Sequence, residues 1–89
     1  MPKIILPPPA LPSRPADRTL DITAELCPMT FVRTRLALER MAPGATLLVL
    51  LAGEEPRRNV PASAEALGHQ VLAQETGADG VTRLWLRRA

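Results

Sequence analysis

The chain has 89 residues, of which 46% are hydrophobic and 22% charged, a balance typical of one folded domain. The net charge is +2, but residues 1–18 hold three basic and one acidic side chain, so residues 19–89 hold eight of each sign. This neutrality argues against a general polyanion-binding surface. No apolar run is long enough to span a bilayer, and we expect a cytoplasmic protein.

The chain has one cysteine, Cys27, and one histidine, His69. A disulfide within the chain is therefore impossible, which suggests a reducing compartment. Two such side chains cannot complete a four-ligand metal site, so we expect no metal and no cofactor. Because His69 has no second titratable group pointing to a catalytic role, we assign it a structural one.

Residues 1–18 form a proline-rich segment that holds six of the ten prolines. Proline fixes φ and removes a backbone donor, so this segment cannot join a helix or a central strand. We predict a disordered or polyproline-II tail over residues 1–18, followed by one domain over residues 19–89. A docking peptide for an aromatic groove is the alternative function of the tail.

The first predicted elements are a strand and a helix. "TLDIT" (19–23) alternates and is rich in β-formers, which predicts a short strand. "CPMTFVRTRLALERM" (27–41) has a helical period, and "APG" (42–44) ends that helix. The predicted inner face of the helix consists of Phe31, Thr34, Leu38 and Met41, with Ala37 beside them.

The second half of the chain predicts a central strand, a helix and a hairpin. "TLLVLL" (46–51) is continuously apolar, which favours a strand buried on both sides. We predict a loop over 52–58 and a helix over 59–68, with Asn59 as N-cap, Pro61 in the first turn and Gly68 just past the end. Residues 69–76 and 81–87 are predicted strands, joined as an antiparallel hairpin by "GADG".

The predicted fold class is an α+β two-layer sandwich of β-α-β-α-β-β order. Its four-stranded mixed sheet carries both helices on one face, because strand–helix–strand crossovers are right-handed. If Leu84 and Leu86 face the helices, Trp85 lies on the open face. There it either packs within the sheet or anchors a partner or a second copy, which would give a weak homodimer rather than a monomer.

The position of Cys27 favours a reactive thiol. The first N–H groups of a helix lack intrahelical partners and, with the helix dipole, stabilise a nearby negative charge. Such a site lowers the pKa of a thiol and raises its thiolate fraction. We predict that the first turn supports the thiolate, with Thr30 as a cap and Arg33 adding positive potential. The supporting residues are Pro28, Met29, Thr30 and Phe31.

The alternative is that Cys27 is a small buried hydrophobe, as many lone cysteines are. Acyl-transfer chemistry would need a helper base and an orienting group that this chain does not supply. Sulfur or disulfide exchange needs only the thiolate. Position alone leaves both readings of Cys27 open.

The segment "LDITAELCPMTFVRTRLALERMAPG" resembles the signature of the TusA/SirA/YedF-type sulfur carrier family. That family has a Leu-Asp pair, a Cys-Pro-x-Pro motif that opens a helix, and a Pro-Gly turn before a hydrophobic strand. The matching residues are Leu20, Asp21, Cys27, Pro28, Pro43 and Gly44. "NVP" (59–61) resembles the family's Asp-Ile-Pro segment, so the resemblance covers about residues 19–87.

This resemblance implies a fold similar to the C-terminal domain of bacterial translation initiation factor 3. It also implies that Cys27 accepts a sulfane sulfur as a persulfide and relays it, as a carrier rather than a multi-turnover enzyme. The chain departs from the pattern at Ala24, where the family has Gly, at Thr30, where it has the second proline, and at Asn59, where it has Asp. These departures affect the partner set more than the fold.

The implied partners are a sulfur-donor protein, such as a cysteine desulfurase or rhodanese, and a sulfur-acceptor protein, serving for example tRNA thiolation or cofactor biosynthesis. Four arginines could meet acidic partner surfaces or could form an ordinary solvated face: Arg33, Arg35, Arg57 and Arg58. The competing function is a non-catalytic interaction or regulatory module in which Cys27 is structural. Nucleic-acid binding is disfavoured because Phe31 and Trp85 are the only aromatic residues.

Overall fold

The computed structural model describes residues 16–26 and 29–89. The elements in chain order are β1 (Arg18–Asp21), α1 (Met29–Glu39), β2 (Thr46–Ala52), α2 (Glu54–Ala66), β3 (Gln70–Thr76) and β4 (Val81–Arg87). The predicted β-α-β-α-β-β order and α+β class are confirmed. The predicted tail covers residues 1–18. Its residues 1–15 lie outside the described residues, and its last residue, Arg18, is the first residue of β1.

The four strands form one mixed sheet in the order β1-β2-β4-β3. β1 runs parallel to β2, as expected of strands joined through a helix, while β2–β4 and β3–β4 are antiparallel. In the register across the sheet, Leu20 lies opposite Val49, and Val49 lies opposite Leu84. Among the described residues, β1 is thus a four-residue edge strand that pairs on one side only.

The core lies between the sheet and the two helices. Burial alternates along β2, so Leu47, Val49 and Leu51 face the helices while Leu48 and Leu50 are half-buried. The prediction that β2 is central is confirmed, but its second face is only partly covered. The other fully buried apolar residues of this core are Ile22, Leu38, Val60, Ala64, Leu84 and Leu86.

Trp85 alternates with the core leucines of β4 and is itself only 1% exposed. It pairs in register with Leu48 on one side and Ala73 on the other. Trp85 is therefore buried, and the expectation that it is an exposed anchor for a partner is wrong.

The inner face of α1 follows the predicted helical period. Thr30, Thr34 and Leu38 are its buried residues, Met41 is buried just beyond its end, and Phe31 packs against the core while half-buried. The helix ends at Glu39, two residues before the predicted end at Met41, and the first two residues of the predicted span, 27 and 28, lie outside the described residues. At its C-terminus, the Leu38 carbonyl accepts a hydrogen bond from Nε of Arg88 at 2.7 Å.

The predicted start of α2 is wrong by five residues. The helix begins at Glu54, directly after Gly53, whose φ is 102° and which provides no side-chain cap. Pro56, rather than Pro61, occupies the first turn, where a missing N–H costs nothing. Asn59 is therefore an exposed interior residue and not an N-cap. Packing decides the start, because Pro56, Val60 and Ala64 form one buried row.

Pro61 consequently lies inside α2 and cannot donate the hydrogen bond that the Arg57 carbonyl would accept there. The side chain of Gln74 on β3 replaces it, because its Nε2 donates to that carbonyl at 3.1 Å. Helix α2 thus tolerates an interior proline because a neighbouring strand satisfies the freed acceptor.

The predicted stop after α2 and the predicted hairpin are confirmed. Gly68 has a φ of 94° and its N–H donates to Glu65, while the N–H of His69 donates to Ala64, which forms a Schellman C-cap. β3 and β4 are joined through residues 77–80, where Gly80 has a φ of 82°. No helix of the described residues is both long enough and apolar enough to cross a membrane.

Candidate functional site

The predicted reactive residue, Cys27, and its neighbour Pro28 lie outside the described residues. The candidate site is therefore defined by what surrounds them, the β1–α1 loop (residues 22–26) and the first turn of α1. Ile22 anchors the loop, since it is 1% exposed and its N–H donates to the Leu50 carbonyl at 3.0 Å. The loop then passes through a turn in which Glu25 N–H donates to the Ile22 carbonyl at 3.1 Å.

Two contacts link the β1–α1 loop to helix α1 from either side of residues 27 and 28, which the structure does not describe. The N–H of Met29, the first residue of α1, donates to the Leu26 carbonyl at 2.7 Å. Arg33 in the second turn forms an ion pair with Glu25 at 2.8 Å, with both side chains partly exposed. Glu25 was not expected to contribute from the sequence, and it offsets part of the positive potential that we predicted Arg33 would supply.

Asp21 shapes the start of the loop. Its carboxylate accepts hydrogen bonds from the backbone N–H of Thr23 at 3.0 Å and from the Thr23 hydroxyl at 2.8 Å. These bonds, first the backbone one and then the hydroxyl one, hold the pKa of Asp21 below its usual value. The Asp of the Leu-Asp pair thus orders the backbone that leaves β1.

The first turn of α1 contains no acidic side chain. Its positive end is therefore not offset by a carboxylate of its own, in contrast to the first turn of α2, which contains Glu54 and Glu55. An anion placed before Met29 would meet this end directly.

Thr30 does not cap the helix as predicted. It is the second residue of α1, is 1% exposed, and its hydroxyl has no hydrogen-bond partner among the residues that the structure describes. Of the other supporting residues, Met29 is 44% exposed and Phe31 packs against the core.

An exposed apolar stripe borders the site. Met29, Val32 and Leu36 recur at helical spacing on the outer face of α1, and Leu26, 80% exposed, extends the stripe onto the loop. The i, i+3, i+7 spacing of these three helix residues was a readable signal that the sequence prediction did not use. We call Leu26, Met29, Val32 and Leu36 the α1 stripe.

The structure does not gather the four predicted partner-binding arginines into one cluster. Arg33 and Arg35 lie on α1 and pair with Glu25 and Glu39 at 2.8 and 3.0 Å. Arg57 and Arg58 lie on α2 and line an open hollow of about 470 Å³, and Arg57 is 3.8 Å from Glu54. The histidine, His69, accepts the Ala89 N–H through Nδ1 at 3.0 Å.

Comparison with known proteins decides the family. The family model described as "Sulfurtransferase TusA" matches residues 18–88. The chain belongs to the TusA family. The match starts at the first residue of β1 and ends one residue after β4, so it includes every element of the fold.

Individual TusA-family relatives agree. A putative sulfur carrier protein of Archaeoglobus fulgidus is 47% identical over 60 residues, which cover 67% of this chain and 68% of that protein. The sulfur carrier protein TusA of Pseudomonas paraeruginosa is 30% identical over 76 residues, or 85% of this chain and 95% of that protein.

A solved structure is also similar. The crystal structure of a SirA-like protein from Desulfitobacterium hafniense superposes with a TM-score of 0.70 at 27% identity and covers 79% of this chain and 95% of that one. The fold of this TusA-family chain is therefore the one that its sequence signature implied.

Proposed function

We propose that this protein is a sulfur carrier that holds a sulfane sulfur as a persulfide on Cys27. The observation that carries the proposal is the start of α1, a helix end without acidic side chains that begins two residues after the chain's only cysteine. Membership of the TusA family, with relatives named as sulfur carriers, supports the same function.

The chemistry needs only a thiolate. The Cys27 thiolate attacks the outer sulfur of a donor persulfide, a new S–S bond forms, and the donor cysteine leaves as a thiolate. No net oxidation occurs, and the reverse exchange with an acceptor thiolate or another nucleophile unloads the carrier. The positive end of α1 favours the charged form of the sulfur in both steps.

Transfer of this kind requires protein partners, a donor such as a cysteine desulfurase or rhodanese and an acceptor protein. The α1 stripe is the apolar surface next to the site, and it supplies contact area for docking. Arg33 and Arg35 flank it, and we propose that they orient acidic partner surfaces, with Arg57 and Arg58 forming a second basic patch on α2.

The decisive experiment is sulfur loading followed by intact mass measurement. Incubation with a cysteine desulfurase and cysteine, or with polysulfide, should add the mass of one or more sulfur atoms, and a reducing agent should remove it. Cys27→Ser should take up none. Its fold should be unchanged, which circular dichroism checks.

Two results would count against the proposal. Sulfur uptake by Cys27→Ser equal to that of the wild type would place the chemistry elsewhere. Absence of uptake by the wild-type protein, together with alkylation of Cys27 as slow as that of an ordinary cysteine, would favour the competing function of an interaction module with a structural Cys27.

A further inference from the structure

Trp85 is buried on the face of the sheet that the helices do not cover. β4 pairs with β2 residue by residue and without a register shift, so its side chains alternate between the two faces. Leu84 and Leu86 pack with the helices, and Trp85 therefore faces away from them. Yet Trp85 is 1% exposed, and Ala73, its neighbour across β3, is 8% exposed. A bare sheet face would leave much of so large a side chain in solvent.

The side chains around Trp85 in the sheet do not account for this burial. Its neighbours on the same face are Leu48 and Ala73 across the strands, with Arg83 and Arg87 along β4. Ala73 is too short to shield an indole ring, Leu48 is itself only half-buried, and Arg87 is exposed. The two helices lie on the opposite face. Another part of this chain therefore covers Trp85, since the exposed fraction is that of a single chain.

The covered area is a limited patch. Leu48 and Leu50 on β2 are half-buried on this face, whereas Thr19 on β1 and Glu75 on β3, which share the face, are exposed. A short segment of chain is enough to cover an area of this size. We call Leu48, Leu50, Ala73 and Trp85 the Trp85 patch.

We propose that residues 4–12, "IILPPPALP", lie over the Trp85 patch and bury it. Outside the described residues the chain has only residues 1–15 and the pair 27–28, and that pair directly precedes α1. Residues 4–12 are aliphatic residues and prolines without a charge, which matches an apolar patch. Proline-rich segments pack well on aromatic side chains, because their extended conformation is already restricted and little entropy is lost.

The start of the described chain places this segment within reach of the patch. The N–H of Asp17 donates to the Thr46 carbonyl at 2.8 Å, and its carboxylate accepts the Thr46 N–H at 2.8 Å. Trp85 lies two strands away from β1 in the sheet and pairs with the second residue after Thr46. Strand and residue spacings put this distance at about 10–15 Å. Residues 13–16 span up to ~13 Å when extended, so residue 12 reaches the edge of the patch.

This placement gives the proline-rich segment a role within its own chain. The family match begins at residue 18, so residues 4–12 precede the part of the chain that the family shares. A segment bound over the Trp85 patch withholds the open face of the sheet from a second copy or another protein. Binding partners are then left the helix side of the molecule, where the α1 stripe lies. The cover does not depend on sulfur chemistry at Cys27.

Tryptophan fluorescence tests the cover, because Trp85 is the single tryptophan of a chain without tyrosine. In the full-length wild type we expect blue-shifted emission that acrylamide quenches weakly. Combined Ile4→Ser, Ile5→Ser and Leu6→Ser substitutions should shift the emission to the red and increase the quenching constant several-fold. Circular dichroism should show an unchanged fold. In the wild type, nuclear Overhauser effects should connect the Trp85 indole to methyl groups of residues 4–6.

Matched controls separate the cover from general effects of mutation. Lys3→Ser with Arg14→Ser changes the same segment outside residues 4–12 and should leave emission and quenching at the wild-type values. Ala73→Glu tests the patch itself, since it places a charge beside Trp85 and should expose the indole even if the triple variant folds poorly. Glu75→Ala, at an exposed position on the same face, should have no such effect.

Three results would overturn the proposal. Strong quenching of the wild-type protein would show that the Trp85 patch is open. Protection of Trp85 that persists in the triple serine variant would show that another part of the chain covers it. Protection that is lost on dilution, together with a dimer in sedimentation, would assign the cover to a second copy.

Discussion

The two helices dock on the sheet in the same way and end up with different chemistry. Each buries three residues spaced by four, which are Thr30, Thr34 and Leu38 in α1 and Pro56, Val60 and Ala64 in α2. Helix α2 fills its row with apolar or cyclic side chains and offsets its positive end with Glu54 and Glu55. Helix α1 places two hydroxyls in its row and no carboxylate in its first turn.

The contrast shows that the packed face of a helix fixes its position, whereas the charges in its first turn decide whether its N-terminus can stabilise a further anion. An apolar row is sufficient to hold α2, and its carboxylates stabilise its N-terminus as in many surface helices. Helix α1 omits the stabilising carboxylates just where Cys27 precedes it. A helix end kept free of its own acidic groups is available to stabilise another anion.

The largest change that we expect comes from repairing the hydrogen-bond ladder of α2. Pro61→Ala restores the missing backbone N–H and removes the clash of the ring with the preceding turn. An interior proline costs about 3 kcal/mol relative to alanine in a model helix. Because Gln74 already satisfies the Arg57 carbonyl, we expect a gain of about 1–2 kcal/mol in the free energy of unfolding.

Urea denaturation measures this gain, and Pro56→Ala is its matched control. Pro56 lies in the first turn, where no N–H is required, and it is buried. Its replacement should therefore lower the free energy of unfolding through lost packing. Equal effects of the two substitutions would contradict the distinction between the turn and interior positions.

A smaller change should follow from giving α1 the charge of α2. Met29→Glu places a carboxylate in the first turn of α1, at a residue that is 44% exposed. A charge at a helix end is worth about 0.3–1 kcal/mol, so the pKa of the Cys27 thiol should rise by about 0.2–0.7 units. The pH dependence of Cys27 alkylation measures the rise.

Met29→Gln controls for the change of side chain and should leave the pKa in place. Added salt should reduce the difference between the two variants, since the groups are exposed. A Met29→Glu protein with the thiol pKa of Met29→Gln would mean that the end of α1 does not stabilise the thiolate.

The smallest expected effect is that of His69, which lies just past the C-terminal end of α2. Burial, followed by the positive charge of Arg88, lowers the pKa of His69 below its usual value of 6.5. Its Nδ1 also accepts the Ala89 N–H, which a protonated ring cannot do. Below the usual pKa the unfolded chain binds the proton more readily, so acidification favours unfolding.

Wild-type stability should therefore fall as the pH decreases through and below 6.5, and this part of the fall should be missing in His69→Gln. Urea midpoints measured between neutral and mildly acidic pH compare the two proteins. Parallel pH profiles would show that His69 does not contribute to the acid sensitivity.

The sequence predicted the element order, the hairpin and the inner face of α1 because each rests on a local pattern. It misplaced the start of α2 because Pro56 and Pro61 both satisfy the rule for a proline in the first turn. Only the burial of Pro56 and the bond from Gln74 decide between them, and both depend on tertiary contacts.

The sequence predicts chemistry at Cys27 from its place before a helix and from the family motif, and this stays a prediction because Cys27 lies outside the described residues. The interactions around it were not predicted. The pairing of Arg33 with Glu25 spans a loop whose path the sequence does not reveal. The Thr30 hydroxyl is buried without a partner among the described residues, which depends on local side-chain geometry that the sequence does not reveal.

The placement of β1 at the edge of the sheet has a consequence for motion. Detaching four residues from β2 would leave the β2-β4-β3 sheet and its cover of helices intact. Such a partial opening costs less than global unfolding, so amide protons of β1 should exchange with solvent sooner than those of β4. The segment that leads to Cys27 therefore follows directly on a short edge strand that we expect to open before the centre of the sheet does.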